Sequence, residues 1–188
     1  MQVEQTAIPG VLIFRPERHC DDRGCLAETW NRRQLAEVGV DIDFVQDNHS
    51  VSAKEGTLRG LHMQTPPFAQ DKLVRCGRGR LFDVAVDIRV DSPNYRQWIG
   101  VELSAENAKQ LLVPRGFLHG FVTREPDTEI VYKCSNYYAP DCDRAVRFDD
   151  PDIGIDWGLT SDPVLSAKDI AAPRLKDLDN PFNVGNAT

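Results

Sequence analysis

"KLVRCGRGRLFDVAVDIRV", residues 72–90, holds two apolar runs rich in valine, split by two glycines. Runs of this kind bounded by turn residues read as β-strands. The intervening "RCGRGR", residues 75–80, reads as the connection of a hairpin between two long strands.

The same pattern extends to both sides. "GVLIF" at 10–14, "DFVQDNHSVS" at 43–52, "TLRGLHMQ" at 57–64, "RQWIGVEL" at 96–103 and "QLLVP" at 110–114 are further strand candidates. So are "FLHGFVT" at 117–123, "EIVYKCSNYY" at 129–138 and "RAVRF" at 144–148. Gly, Pro, Asn, Asp and Ser separate them. About ten short strands with frequent turn signals predict an all-β sandwich, barrel or jelly roll. Helical signals are few. "NRRQLAEVG" at 31–39 has Asn31 as a cap and Gly39 as a stop. "SAENAK" at 104–109 suggests one turn, and "SAKDIAAPRLKDL" at 166–178 a short helix followed by surface chain. With no repeat and no linker, a single domain over 1–188 is expected. Its core strands lie at about 40–150, and the Asp- and Pro-rich segment 151–188 packs over the site and surface.

The chain has 188 residues, 41% of them hydrophobic, with 22 Lys+Arg against 29 Asp+Glu and a net charge of −7. That balance disfavours a general nucleic-acid or membrane-surface binder. An anionic ligand would have to be held by a local group of cations. Five cysteines, at 20, 25, 76, 134 and 142, form no C-x-x-C pair. Neither a disulfide framework nor a zinc site is expected, and a reduced cytoplasmic compartment is. "MQVEQTAIPG" lacks the apolar core of a signal peptide, and no run is long enough to span a bilayer.

Four histidines, His19, His49, His62 and His119, bound any metal chemistry. "PRGFLHGF", residues 114–121, resembles the second box of cupin jelly rolls, and "GLHMQ" stands where the first would be. Metal-binding cupins place two histidines two residues apart in that first box. Here the second of those positions is Gln64. A first-row metal needs three or four nitrogen or carboxylate ligands, so no metal is expected. Arg59, Lys72, Arg75 and Gln64 cluster in an otherwise apolar region, and unpaired cations there suggest a pocket for an anion. Arg59 and His62 are three apart, which in a regular strand puts them on opposite faces. If both line one pocket, the strand must be irregular near Gly60.

Nine stretches in order, "FVQDNHS", "LRGLHMQ", "AQDKLVRC", "FDVAVDIR", "SPNYRQW", "LSAENAKQLLVPRGFLHGF", "YKCSNYYAP", "FDDPDIGIDW" and "PVLSAKD", resemble the dTDP-4-dehydrorhamnose 3,5-epimerase family, from about residue 8 to residue 170. The resemblance implies a metal-free, cofactor-free cupin-type jelly roll and a homodimer formed by exchange of N-terminal strands. It implies epimerisation of a dTDP-linked 4-keto-6-deoxyhexose at C3 and C5. It implies His62 as general base with Asp169 as its dyad partner, Tyr132 as the acid on the opposite face, Lys72 as enolate stabiliser and His119 in support. Arg23 and Arg59 match positions that bind the diphosphate, Glu28, Gln46 and Asn48 positions lining the nucleotide or sugar pocket, and Tyr138 an aromatic near the nucleobase.

These residue types suit the chemistry. A proton α to a ketone needs a positioned base such as histidine. The resulting enolate needs a cation or donor, each typically worth roughly 3–4 kcal/mol. Inversion needs an acid on the other face. The chain departs from the family at His19, at Cys25, Leu26 and Ala27, and at Met63, which bears on nucleobase and sugar contacts. Three other readings compete: an epimerase of one carbon or of another nucleotide sugar, a metal-dependent cupin oxygenase or isomerase, and a sugar-binding jelly roll without catalysis.

Overall fold

A computed structural model describes residues 1–185. Its strands are β1 (Gln2–Gln5), β2 (Leu12–Arg15), β3 (Arg18–Asp21), β4 (Gly24–Ala27), β5 (Gln46–Ser52), β6 (Leu58–Gln64), β7 (Lys72–Arg78), β8 (Arg80–Asp87), β9 (Trp98–Ser104), β10 (Gln110–Val113), β11 (Phe117–Thr123), β12 (Thr128–Cys134) and β13 (Asp143–Ala145). Two short helices, α1 (Arg32–Glu37) and α2 (Ala167–Ile170), complete the regular structure with two 3-10 turns.

The strands form a six-stranded sheet in the order β1-β2-β10-β7-β12-β5 and a five-stranded sheet in the order β13-β6-β11-β8-β9. All strand pairs within them are antiparallel. Their inner faces meet through Val74, Cys76, Leu81, Ala85, Val101, Leu111, Phe121 and Ile130. This is a cupin-type jelly roll.

Both sheets are covered on their outer faces as well. Leu35 and Val40 from the α1 region seal the six-stranded sheet against Leu12, Phe14, Leu73 and Leu112. Trp157, Leu175 and Phe182 of the C-terminal segment seal the five-stranded sheet against Leu58, Met63, Val84 and Leu118. Burying a side chain such as Phe182, 1% exposed, stabilises by roughly 1.5–3 kcal/mol. Burial on both faces explains why "FLHGFVT" lacks alternation, since every residue of β11 is buried.

Asn31 caps α1 as expected, its side chain accepting from the Arg33 and Gln34 amides. Gly39, at φ +85°, follows the helix end. Residues 104–109 hold a non-helical turn, closed by reciprocal bonds between Ser104 and Asn107.

Two expectations fail. The 75–80 stretch does not close a hairpin, because β7 and β8 lie in different sheets. Both edges of β7 are taken by β10 and β12, and both edges of β8 by β11 and β9. Gly79, at φ +74°, lets the chain cross between the sheets. The cysteines also depart from an unbridged set: Cys20 and Cys25 form a disulfide, while Cys76, Cys134 and Cys142 are free. β3 and β4 pair as a separate two-stranded ribbon that sets Cys20 directly opposite Cys25. No helix among the described residues is long and apolar enough to cross a membrane.

Candidate active site

β6 carries the decisive irregularity. It pairs with β11 through His119↔His62 and Phe121↔Arg59, with a register slip between the two pairs. The slip falls at Gly60, which has φ +131°. A Cβ there would lie 2.6 Å from the Gly120 Cα and 3.0 Å from the His119 carbonyl oxygen, so only glycine fits. The slip cancels the strand parity, and Arg59 and His62 line the same cavity of about 310 Å³.

That cavity is walled by both sheets. β6 and β11 contribute His62 and His119, and β7, β12 and β5 contribute Lys72, Tyr132 and Ser50. α2 closes one side with Asp169, Lys168 and the preceding Ser166. His62 Nε2 lies 2.7 Å from Asp169 Oδ1. The other carboxylate oxygen accepts from the Ser166 hydroxyl at 2.6 Å, and the Gly60 amide donates to Oδ1 at 3.4 Å. Ser166 is also the N-cap of α2, accepting from the Asp169 amide at 3.2 Å. Burial alone would push the Asp169 carboxyl up. The bonds from His62 and Ser166 outweigh it and hold the group down at about 2. Asp169 is therefore a buried, fully ionised partner for the imidazole.

Burial pushes the Tyr132 phenol above its usual range, so it stays protonated and can donate. Burial pushes the Lys72 ammonium down, and nearby anionic groups oppose it. Lys72 Nζ sits 6.0 Å from the centroid of the Tyr132 ring. Among the described residues neither Arg59 nor Lys72 has a carboxylate within ion-pair distance, whereas Lys168 is bonded to Asp143. Two cations without anions in one cavity suit an anionic or oxyanion-forming ligand.

The expected nucleotide-pocket residues lie beside the cavity on its β5 side. Gln46 and Asn48 share the Ser50 face of β5 and are joined by a 3.1 Å hydrogen bond. Gln46 also accepts from the Tyr138 amide at 3.0 Å, and the exposed Tyr138 donates its hydroxyl to Asp143. Arg23 and Glu28 do not line the cavity of their own chain. Arg23 is 90% exposed on the β3–β4 ribbon and paired with Asp21, and Glu28 accepts from Asn31 and Gln34.

Three sequence readings change. Arg75 falls on the opposite face of β7 from Lys72 and lines an outer groove with Pro16 and Leu26. Gln64 donates to the Phe68 and Tyr137 carbonyls and accepts from the Ala139 amide, so it anchors the loop before Tyr138. Met63 is 4% exposed in the outer core, on the face away from the cavity, and does not bear on ligand contacts. Among the described residues no cluster of three or more His, Cys, Asp or Glu is arranged to hold a metal ion. Sequence reasoning missed Ser50, Ser166, Lys168 and Asp83. For Ser166 a signal existed, because a serine three residues before an acidic residue is capping spacing.

Fold and cavity together are those of cupin-type nucleotide-sugar isomerases. The profile of the dTDP-4-dehydrorhamnose 3,5-epimerase family matches residues 5–177. The epimerase of that name from Salmonella typhimurium is 52% identical over 176 residues, covering 93% of this chain and 96% of the relative. A Bacillus anthracis dTDP-4-dehydrorhamnose 3,5-epimerase structure with TDP and PPi bound is 46% identical, with TM-score 0.90, covering 93% of this chain and 99% of that one. A Legionella pneumophila dTDP-6-deoxy-D-glucose-3,5-epimerase in complex with dTDP-4-keto-L-rhamnose is 41% identical, with TM-score 0.91, covering 95% and 94%. The chain belongs to the dTDP-4-dehydrorhamnose 3,5-epimerase family.

Proposed function

We propose that this protein epimerises a dTDP-linked 4-keto-6-deoxyhexose at C3 and C5, as its relatives' names describe. The observation that carries the reading is the origin of the two acid–base groups: His62 comes from one sheet and Tyr132 from the other, and both line one cavity. Groups on opposing walls can serve opposite faces of a sugar ring.

His62 takes the proton α to the C4 ketone. The C–H electron pair becomes a C=C bond and the carbonyl π pair moves to oxygen. Lys72 meets that oxygen as charge develops, and Asp169 stabilises the imidazolium. Tyr132 then protonates the carbon from the other side. Solvent restores the Tyr132 proton and removes the one held by His62. The second centre repeats the cycle. No step calls on a metal or cofactor.

Arg59 is the anchor for the diphosphate at the cavity mouth, with Gln46, Asn48 and Tyr138 toward the nucleoside and His119 among the sugar contacts. The functional unit is a homodimer. Exchange of N-terminal segments would bring Arg23 and Glu28 to a second chain's cavity, which accounts for their absence from their own. The protein acts in the cytoplasm as a single-domain enzyme of deoxysugar synthesis.

Proton NMR in deuterated water with dTDP-4-keto-6-deoxyglucose tests the reading. Deuterium entering both C3 and C5 is expected. Entry at one carbon assigns a monofunctional epimerase, and binding without exchange would defeat the proposal in favour of a sugar-binding role.

A further inference from the structure

Asp83 is completely buried on β8, on the face it shares with the core residues Leu81 and Ala85. Its Oδ1 accepts from His119 Nε2 at 2.7 Å. Its Oδ2 is buried with no hydrogen-bond partner among the described residues. His119 is 7% exposed and lines the cavity directly opposite His62 in the pairing of β11 with β6. A half-satisfied carboxylate in an apolar core opposes folding, and a neutral side chain would avoid that cost. Packing therefore gives no reason for Asp83.

We propose that Asp83 is a positioning residue, which fixes His119 with Nε2–H directed into the core and Nδ1 toward the cavity, and whose buried charge supports the Lys72 ammonium that meets the enolate. The inference rests on the epimerase reading for the work done by His119. A carboxylate can only accept, so Nε2 must carry a proton. The ring nitrogen left to the cavity that His119 lines is then Nδ1, an acceptor in this tautomer. The geometry repeats that of His62 and Asp169 on the neighbouring strand, giving two His–carboxylate pairs whose rings sit side by side. Asp83 also acts on Lys72. Burial pushes the Lys72 ammonium down, and Asp83 is among the anions that oppose this. Removing its charge therefore weakens the Lys72 donor aimed at the developing oxyanion and releases the His119 ring from its single tautomer, while leaving the diphosphate anchors untouched.

The test is Asp83→Asn, alone and combined with His119→Gln, assayed with dTDP-4-keto-6-deoxyglucose. The single variant is expected to lose about 10²-fold in kcat. KM should stay within about threefold, since the proposed diphosphate and nucleoside anchors are unaltered. In the His119→Gln background Asp83→Asn should cost much less than it does alone. Long-range proton–nitrogen spectra of the His119 ring should show one tautomer, protonated at Nε2, in the unaltered protein. Unchanged kcat with a lowered Tm would reduce Asp83 to a structural role, and an equal kcat loss in both backgrounds would overturn action through His119. If Asp83→Asn does not fold, the ring spectrum decides, and a ring protonated only at Nδ1 sinks the proposal. Absence of turnover by the unaltered protein would defeat the epimerase reading instead, and the spectrum would still judge the Asp83–His119 geometry.

Discussion

His62 and Asp169 are 107 residues apart in the chain, yet their side chains meet at 2.7 Å beside the Gly60 amide. The contact joins β6 to α2, so the C-terminal segment is part of the site and not only its cover. Ser166 holds the carboxylate from the other side and caps the helix that bears it. Each member of this set restricts the next, which is what a base of defined orientation requires.

Asp169→Asn should lower kcat by about 10²–10⁴-fold while leaving dTDP affinity nearly unchanged, because in the proposed mechanism the carboxylate stabilises charge on the His62 ring and the nucleotide is held by other residues. Steady-state kinetics with dTDP binding by calorimetry checks this. A parallel loss of nucleotide affinity would argue for general disruption.

The same carboxyl makes acid stability testable. Its folded value, about 2, lies below the usual 3.8. It therefore contributes stability that is fully present above pH 3.8 and disappears as pH falls toward 2. The contribution is about 2 kcal/mol. Urea unfolding of the unaltered protein and Asp169→Asn should show a stability gap at neutral pH that narrows across this window. A gap independent of pH would mean the ion pair is not its source.

Tyr132→Phe should retain deuterium wash-in at the substrate carbons while net inversion falls by about 10²-fold or more. In the proposed mechanism abstraction belongs to His62 and delivery to Tyr132, so the two readouts separate. Equal loss of both would assign Tyr132 another task.

Lys72 sets an expectation for alkaline pH. Burial lowers its ammonium below the usual 10.5, while the Tyr132 phenol is raised above 10.0. Activity in kcat/KM should therefore fall as Lys72 deprotonates, below pH 10.5. Lys72→Arg, which stays charged, should be slower yet shift that limb upward. An unmoved limb would place the titration on another group.

Gly60→Ala should destabilise by about 3 kcal/mol or more, from strain at positive φ plus a backbone clash with Gly120. A variant with unchanged Tm and kcat would show that the slip in β6 tolerates a side chain, contrary to the 2.6 Å approach.

Much of this protein was legible locally. Short β-branched runs and turn residues indicated the jelly roll, and Asn31 and Gly39 marked the ends of α1, because these preferences act within a few residues. The three-residue spacing of Arg59 and His62 across a glycine meant that the two could share a pocket only if the strand were irregular near Gly60. The residue types of base, acid and cation followed from the chemistry and from the family motifs. The polar β3–β4 ribbon escaped notice because it is exposed on nearly every residue and carries no apolar alternation, and with it the Cys20–Cys25 pair.

Other features depended on which strands meet. Whether "RCGRGR" joined neighbours or crossed between sheets was settled by long-range partners of β7 and β8. The same pairings turned Met63 and Arg75 away from the cavity and brought Asp83 beneath His119. Local sequence thus determined the elements and the chemical repertoire. Only the tertiary structure decided which face of each strand looks inward, because that choice belongs to the packing of two sheets and not to any one segment.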